Sequence, residues 1–120
     1  MGKLMGKLTT HILDTSFGKP AAGVYIELHR CGSAGAALVT ARSNADGRCD
    51  QPLLEGDALS PGEYELTFHI GDYFRALGVD LPDPPFLDKV VIRFGIAQAN
   101  AHYHVPLLVS PWGYSTYRGS

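Results

Sequence analysis

The sequence predicts an all-β fold: a two-sheet β-sandwich of about eight strands with one short helix. Three observations predict it. Apolar and polar residues alternate at period two over most of the chain. Gly, Pro, Asn and Asp interrupt that alternation at short intervals. Only one stretch, around Asp72, carries a helical stripe. A chain of 120 residues suits one domain, and a domain of this size buries roughly 65 % of its unfolded surface.

Met1-Gly2-Lys3-Leu4 is repeated as Met5-Gly6-Lys7-Leu8. This is too short for a repeat architecture, so residues 1–7 are expected to form a flexible arm and residues 8–120 the domain. Leu8 to Asp14 reads as the first strand, and Ser16-Phe17-Gly18-Lys19-Pro20 as a turn. From Gly23 to Arg30, Val24, Ile26 and Leu28 face one side, and Tyr25, Glu27 and His29 the other. Ala36 to Ser43 is a third strand. Asn44-Ala45-Asp46-Gly47 is a turn, because Asp and Gly tolerate positive φ. A short strand through Arg48, Cys49 and Asp50 is expected next.

Pro61-Gly62 opens a strand that buries Tyr64, Leu66, Phe68 and Ile70. Asp72 reads as a helix N-cap, with Tyr73, Phe74 and Leu77 on one stripe and Gly78 as the stop. Pro82, Pro84 and Pro85 make a stiff connector that a sheet interior excludes. Lys89 to Ile96 is a strand with Val90, Ile92 and Phe94 inward. Ala101 to Ser110 is a long one, Pro111-Trp112-Gly113 bends the chain, and a last short strand runs through Thr116. Exposed sandwich edges invite pairing, so oligomerisation is expected.

The net charge of -2 and pI near 6.2, without a basic cluster, speak against nucleic acid and anionic membranes as partners. No apolar run approaches the ~18 residues of a membrane helix. The start lacks the apolar stretch of a secretory signal, and the end is not a Ser-Lys-Leu address. A soluble, cytoplasmic protein is expected, with Cys31 and Cys49 reduced.

His102 and His104 lie two apart on a strand whose other face carries Val105, Leu107 and Val109. Both histidines therefore stand on the face away from the core. Such a pair is either a solvated surface or a rigid patch that titrates near neutral pH. It could also chelate a transition metal, but no nearby Cys or acidic residue completes a set, so no metal or other cofactor is expected. His11 lies within the first strand, and Arg48 follows a turn from which its planar cation could reach over a sheet. His29 and His69 are given no role. No covalent-nucleophile or phosphate-loop motif is present. Any chemistry would be general acid–base work, for which histidines, an arginine and hydroxyls are suited.

The ending from His102 to Ser120 closely resembles the C-terminus of 5-hydroxyisourate hydrolases, the transthyretin-like proteins of purine catabolism. Thr10-His11-Ile12-Leu13-Asp14 resembles their N-terminal motif, and Ser43-Asn44-Ala45-Asp46-Gly47-Arg48 their central one. Gly62-Glu63-Tyr64 and Gly71-Asp72-Tyr73-Phe74 also fit. The likeness spans roughly Leu8 to Ser120. Its Tyr-Arg-Gly-Ser terminus is specific, since the related hormone carrier transthyretin lacks it. Ile12 in place of valine, Trp112 and the doubled start depart from the pattern. The resemblance implies a transthyretin-like sandwich and a homotetramer with active sites at the dimer–dimer interface. It implies hydrolysis of 5-hydroxyisourate to 2-oxo-4-hydroxy-4-carboxy-5-ureidoimidazoline. It places catalysis on His11, Arg48 and His104, and substrate binding on His102, Tyr117, Arg118 and Ser120. A carrier of a small aromatic ligand, a β-sandwich adhesion or carbohydrate module and a metal sensor are the competing readings.

Overall fold

The computed structural model describes residues 5–33 and 35–119. Met1–Leu4, the outer part of the expected arm, and Ser120 lie outside the described residues. The order is β1 (Lys7–Asp14), β2 (Lys19–Pro20), β3 (Tyr25–Arg30), β4 (Val39–Arg42), β5 (Leu54–Glu55), a 3-10 turn (Gly56–Ala58), β6 (Gly62–His69), α1 (Ile70–Ala76), β7 (Lys89–Ile96), β8 (His102–Ser110) and β9 (Gly113–Thr116). One sheet has the order β2-β1-β8-β9, with β5 also paired to β1; the other has the order β4-β3-β6-β7. The all-β sandwich with one short helix is the observed architecture. No helix among the described residues is long and apolar enough to cross a membrane.

The period-two pattern decides which faces meet. Leu8, Thr10, Ile12 and Asp14 of β1 and Tyr103, Val105, Leu107 and Val109 of β8 are buried. The apolar ones among them pack in one cluster with Ile26 and Leu28 of β3, Tyr64, Leu66 and Phe68 of β6, and Val90 and Ile92 of β7. Burying one such aliphatic or aromatic side chain is worth about 1.5–3 kcal/mol. A one-residue slip would turn every inward residue of a strand outward, so the core fixes the register.

Several details differ from expectation. Lys19–Pro20, read as part of a turn, pairs with the end of β1 as β2. β1 starts at Lys7, and the buried Gly6 accepts a hydrogen bond from the Gly56 N–H at 3.0 Å. The third strand shortens to Val39–Arg42, because bends occupy residues 35–36. Arg48–Asp50 is not a strand. Arg48 makes only an isolated bridge to His11, and the edge of β1 is instead shared between β5 at Lys7 and Leu8 and β2 at Leu13 and Asp14. The helix begins at Ile70 with His69 in the cap position and no side-chain cap; Asp72 sits in its first turn. β6 runs straight into α1, and the Gly71 N–H donates to the Asp88 carbonyl, which ties down one free N–H of the helix start.

Asp14 is a fully buried carboxylate, which only close partners make tolerable. Its Oδ1 accepts from Ser16 N (3.0 Å), Ser16 Oγ (2.6 Å) and Phe17 N (3.1 Å), and its Oδ2 from the Tyr73 hydroxyl (2.8 Å). Burial, then the Asp14 carboxylate, pushes the Tyr73 phenol up, so it stays a donor. This joins the end of β1 to α1. Tyr73→Phe should cost about 1.5–3 kcal/mol, the range for a hydrogen bond to a charged group. Urea unfolding measures it, and an unchanged midpoint would mean that the bond does not hold these elements together.

Candidate active site

β1 and β8 run parallel, with Lys7 opposite His102, Thr9 opposite His104 and His11 opposite Pro106. Because the alternate residues of both strands fill the core, Lys7, Thr9 and His11 share the outer face with His102 and His104. Arg48 is brought to the far side of β1 by the turn before it. Asn44 Oδ1 accepts from the Asp46 N–H (2.9 Å) and the Arg48 N–H (3.2 Å). Gly47 adopts φ 76°, and its carbonyl accepts from the Ile12 N–H at 2.8 Å. A Cβ at residue 47 would run into the Ile12 carbonyl, so only glycine lets the turn approach β1 this closely. On the other side of β8, the Gly119 N–H donates to the His104 carbonyl at 2.7 Å.

Lys7, Thr9, Arg48, His102 and His104 line an open depression of about 430 Å³. A smaller one of about 180 Å³ continues past Lys7, Thr9 and Arg48 toward Cys49, Asp50 and Pro52. Thr9 Oγ1 lies 2.8 Å from His104 Nδ1, which orients the imidazole and leaves Nε2 as the nitrogen for a ligand. Burial, then the positive charge of Arg48, then His11, holds the His104 pKa below the ordinary 6.5. His104 is therefore neutral near pH 7, as a general base must be.

The other expected site residues divide. His11 lies on the same face, bridged through its backbone to Arg48. His102 is exposed at the rim of the depression. Tyr117 is 60 % exposed and does not line it. Arg118 turns back onto the protein: its guanidinium donates to the His102 carbonyl at 3.1 Å and lies 4.3 Å from the Tyr103 ring centre. Ser120 lies outside the described residues. Lys7 and Thr9 went unassigned in the sequence, although the alternation Lys7-Thr9-His11 is the signal that would have found them.

Among the described residues no three His, Cys, Asp or Glu side chains form a group able to hold a metal ion. His104 Nδ1 is already engaged by Thr9, and Lys7 and Arg48 make the depression cationic. An oriented neutral imidazole, a second imidazole and a fixed guanidinium together can move protons and hold a developing negative charge.

A sequence model of the HIUase/Transthyretin family matches residues 8–119. The chain belongs to that family. It is 61 % identical over 117 residues to the 5-hydroxyisourate hydrolase of Ralstonia nicotianae, covering 97 % of this chain and 100 % of that one. Among solved structures, a 5-hydroxyisourate hydrolase of Klebsiella pneumoniae superposes with a TM-score of 0.80 at 37 % identity, over 96 % of this chain and 99 % of that one. An (S)-allantoin synthase superposes with a TM-score of 0.92 at 45 % identity over 98 % of this chain. This chain spans only 45 % of that longer protein.

Replacing Arg48 by Gln removes a positive charge that disfavours the His104 imidazolium. The His104 pKa should rise toward 6.5, measured by NMR titration of the ring protons, and an unmoved titration would mean that Arg48 does not act on it. Because folding lowers this pKa, the stability linked to His104 is fully present above pH 6.5 and is lost as pH falls toward the folded value.

Proposed function

We propose that this protein hydrolyses 5-hydroxyisourate to 2-oxo-4-hydroxy-4-carboxy-5-ureidoimidazoline in urate breakdown. The observation that carries the reading is the His104 imidazole held by Thr9 on the sheet face that it shares with His11 and Arg48. The relatives named hydrolases supply the substrate.

In the tautomer whose Nδ1–H donates to Thr9, His104 Nε2 carries the lone pair. It takes a proton from water, and the resulting hydroxide attacks the ring carbonyl. Arg48 holds the charge that develops on the carbonyl oxygen, at a fixed cation that keeps its own proton. His11 then gives a proton to the departing ring nitrogen, the C–N bond breaks, and the ring opens as a carboxylate and an N–H. His102 orients the substrate from the rim of the depression; Tyr117, which does not line it in the single chain, and Ser120 join it from the tail once a second subunit closes the site. Arg118 serves the same end by holding the tail against β8.

A homotetramer with its sites at the dimer–dimer interface belongs to this proposal. One side of the depression is open, and a second subunit laid over this face would exclude bulk water from the reaction. The exposed side chains of Tyr114 and Tyr117 next to β8 offer contact surface for it. A cytoplasmic setting is part of the same reading and suits the two free thiols, Cys31 and Cys49.

The test is the decay of 5-hydroxyisourate generated in place from urate by uricase, recorded with and without the protein. Wild type should accelerate it, and His104→Asn should lose at least about a hundredfold in kcat, the lower range of a general acid–base contribution. A folded His104→Asn protein with near-normal turnover would overturn the mechanism. The acid limb of kcat/KM should fall below pH 6.5, and a midpoint above that value would contradict a neutral, pKa-lowered base. Light scattering should return four times the chain mass, and a monomer with full activity would remove the interface from the proposal.

A further inference from the structure

Two glycines near the C-terminus differ in what surrounds them. A Cβ at residue 113, the first residue of β9, would meet nothing within 4 Å. A Cβ at residue 119 would lie 2.8 Å from Cδ2 of His104, 3.2 Å from its Cβ and 3.3 Å from its Cγ. Neither glycine has a positive φ, so alanine fits the backbone at both. The difference between the two positions is therefore steric and points at one imidazole.

The tail is held where it does this. The Gly119 N–H donates to the His104 carbonyl, and Arg118 is anchored on the His102 carbonyl and the Tyr103 ring. Thr9 pins the Nδ1 side of the same ring. Cδ2, the atom an added methyl would strike, is bonded to Nε2, the nitrogen that Thr9 leaves for the substrate. We infer that Gly119 is a positioning residue: its missing side chain lets the His104 ring lie against the tail backbone paired to β8, and the tail and Thr9 together fix where Nε2 sits. The idea rests on the hydrolase reading for its effect on rate, but not for its effect on the ring.

A misplacement of about 1 Å at a reacting atom can cost a hundredfold in rate. Gly119→Ala should thus lose at least tenfold in kcat, with KM changed less than threefold and thermal stability close to wild type. Gly113→Ala should match wild type throughout. In imidazole NMR spectra of the full chain, Gly119→Ala should shift the His104 ring resonances and leave those of His29 and His69 in place. Thr9→Val combined with Gly119→Ala should fall short of the product of the single losses, because both changes release one ring. Unchanged His104 resonances in a folded Gly119→Ala protein would overturn the proposal, as would a Gly119→Ala kcat equal to that of an active wild type. If wild type does not accelerate 5-hydroxyisourate decay while Gly119→Ala still shifts the His104 ring, the hydrolase reading falls and the positioning role stands.

Discussion

The parallel pairing of β1 with β8 is the constraint on which the site depends. Each strand commits its alternate side chains to the core, from Leu8, Thr10 and Ile12 on one and Tyr103, Val105 and Leu107 on the other. Several kcal/mol of apolar burial thus hold the register, and the outward residues have no freedom to choose neighbours. Thr9 meets His104 because Thr10 and Val105 are buried beside them; the buried Thr10 hydroxyl even donates to the Val105 carbonyl at 2.7 Å. The site is precise because it stands on a sheet whose other face is a packed core.

What is added to that frame comes from three irregular segments. The Asn44–Gly47 turn delivers Arg48 to one side of β1, and the tail brings Gly119 to the far side of β8. The Asp14 network ties the other end of β1 to α1. The first two flank the half-buried His104, with Arg48 across β1 and Gly119 beside β8. Burial and like charge both disfavour the imidazolium, so two independent effects keep His104 in the form that accepts a proton.

Much of this was legible in the sequence because period two is a local signal. The outward placement of His102 and His104 followed from Val105, Leu107 and Val109 alone, and the Asn44–Gly47 turn announced itself by its residue types. The misreadings lay where tertiary contacts override local pattern. Arg48–Asp50 looks extended, but the edge of β1 is divided between β5 and β2, which leaves Arg48 a single bridge. Asp72 looks like a cap, but β6 feeds the helix directly and its first turn is tied by the Asp88 carbonyl. Lys7 and Thr9 were invisible for a different reason. Thr9 and His104 are 95 residues apart, and nothing local says that their strands lie side by side.

The five histidines are built-in reporters of where a ligand binds: His11, His102 and His104 stand on one sheet, His29 and His69 on the other. Titration with urate, a stable planar relative of the proposed substrate, followed through all five imidazole resonances, tests the central claim most directly. The account predicts saturable shifts for His104, His11 and His102, with His29 and His69 unmoved. Shifts confined to His29 or His69, or none at the solubility limit of urate, would contradict it.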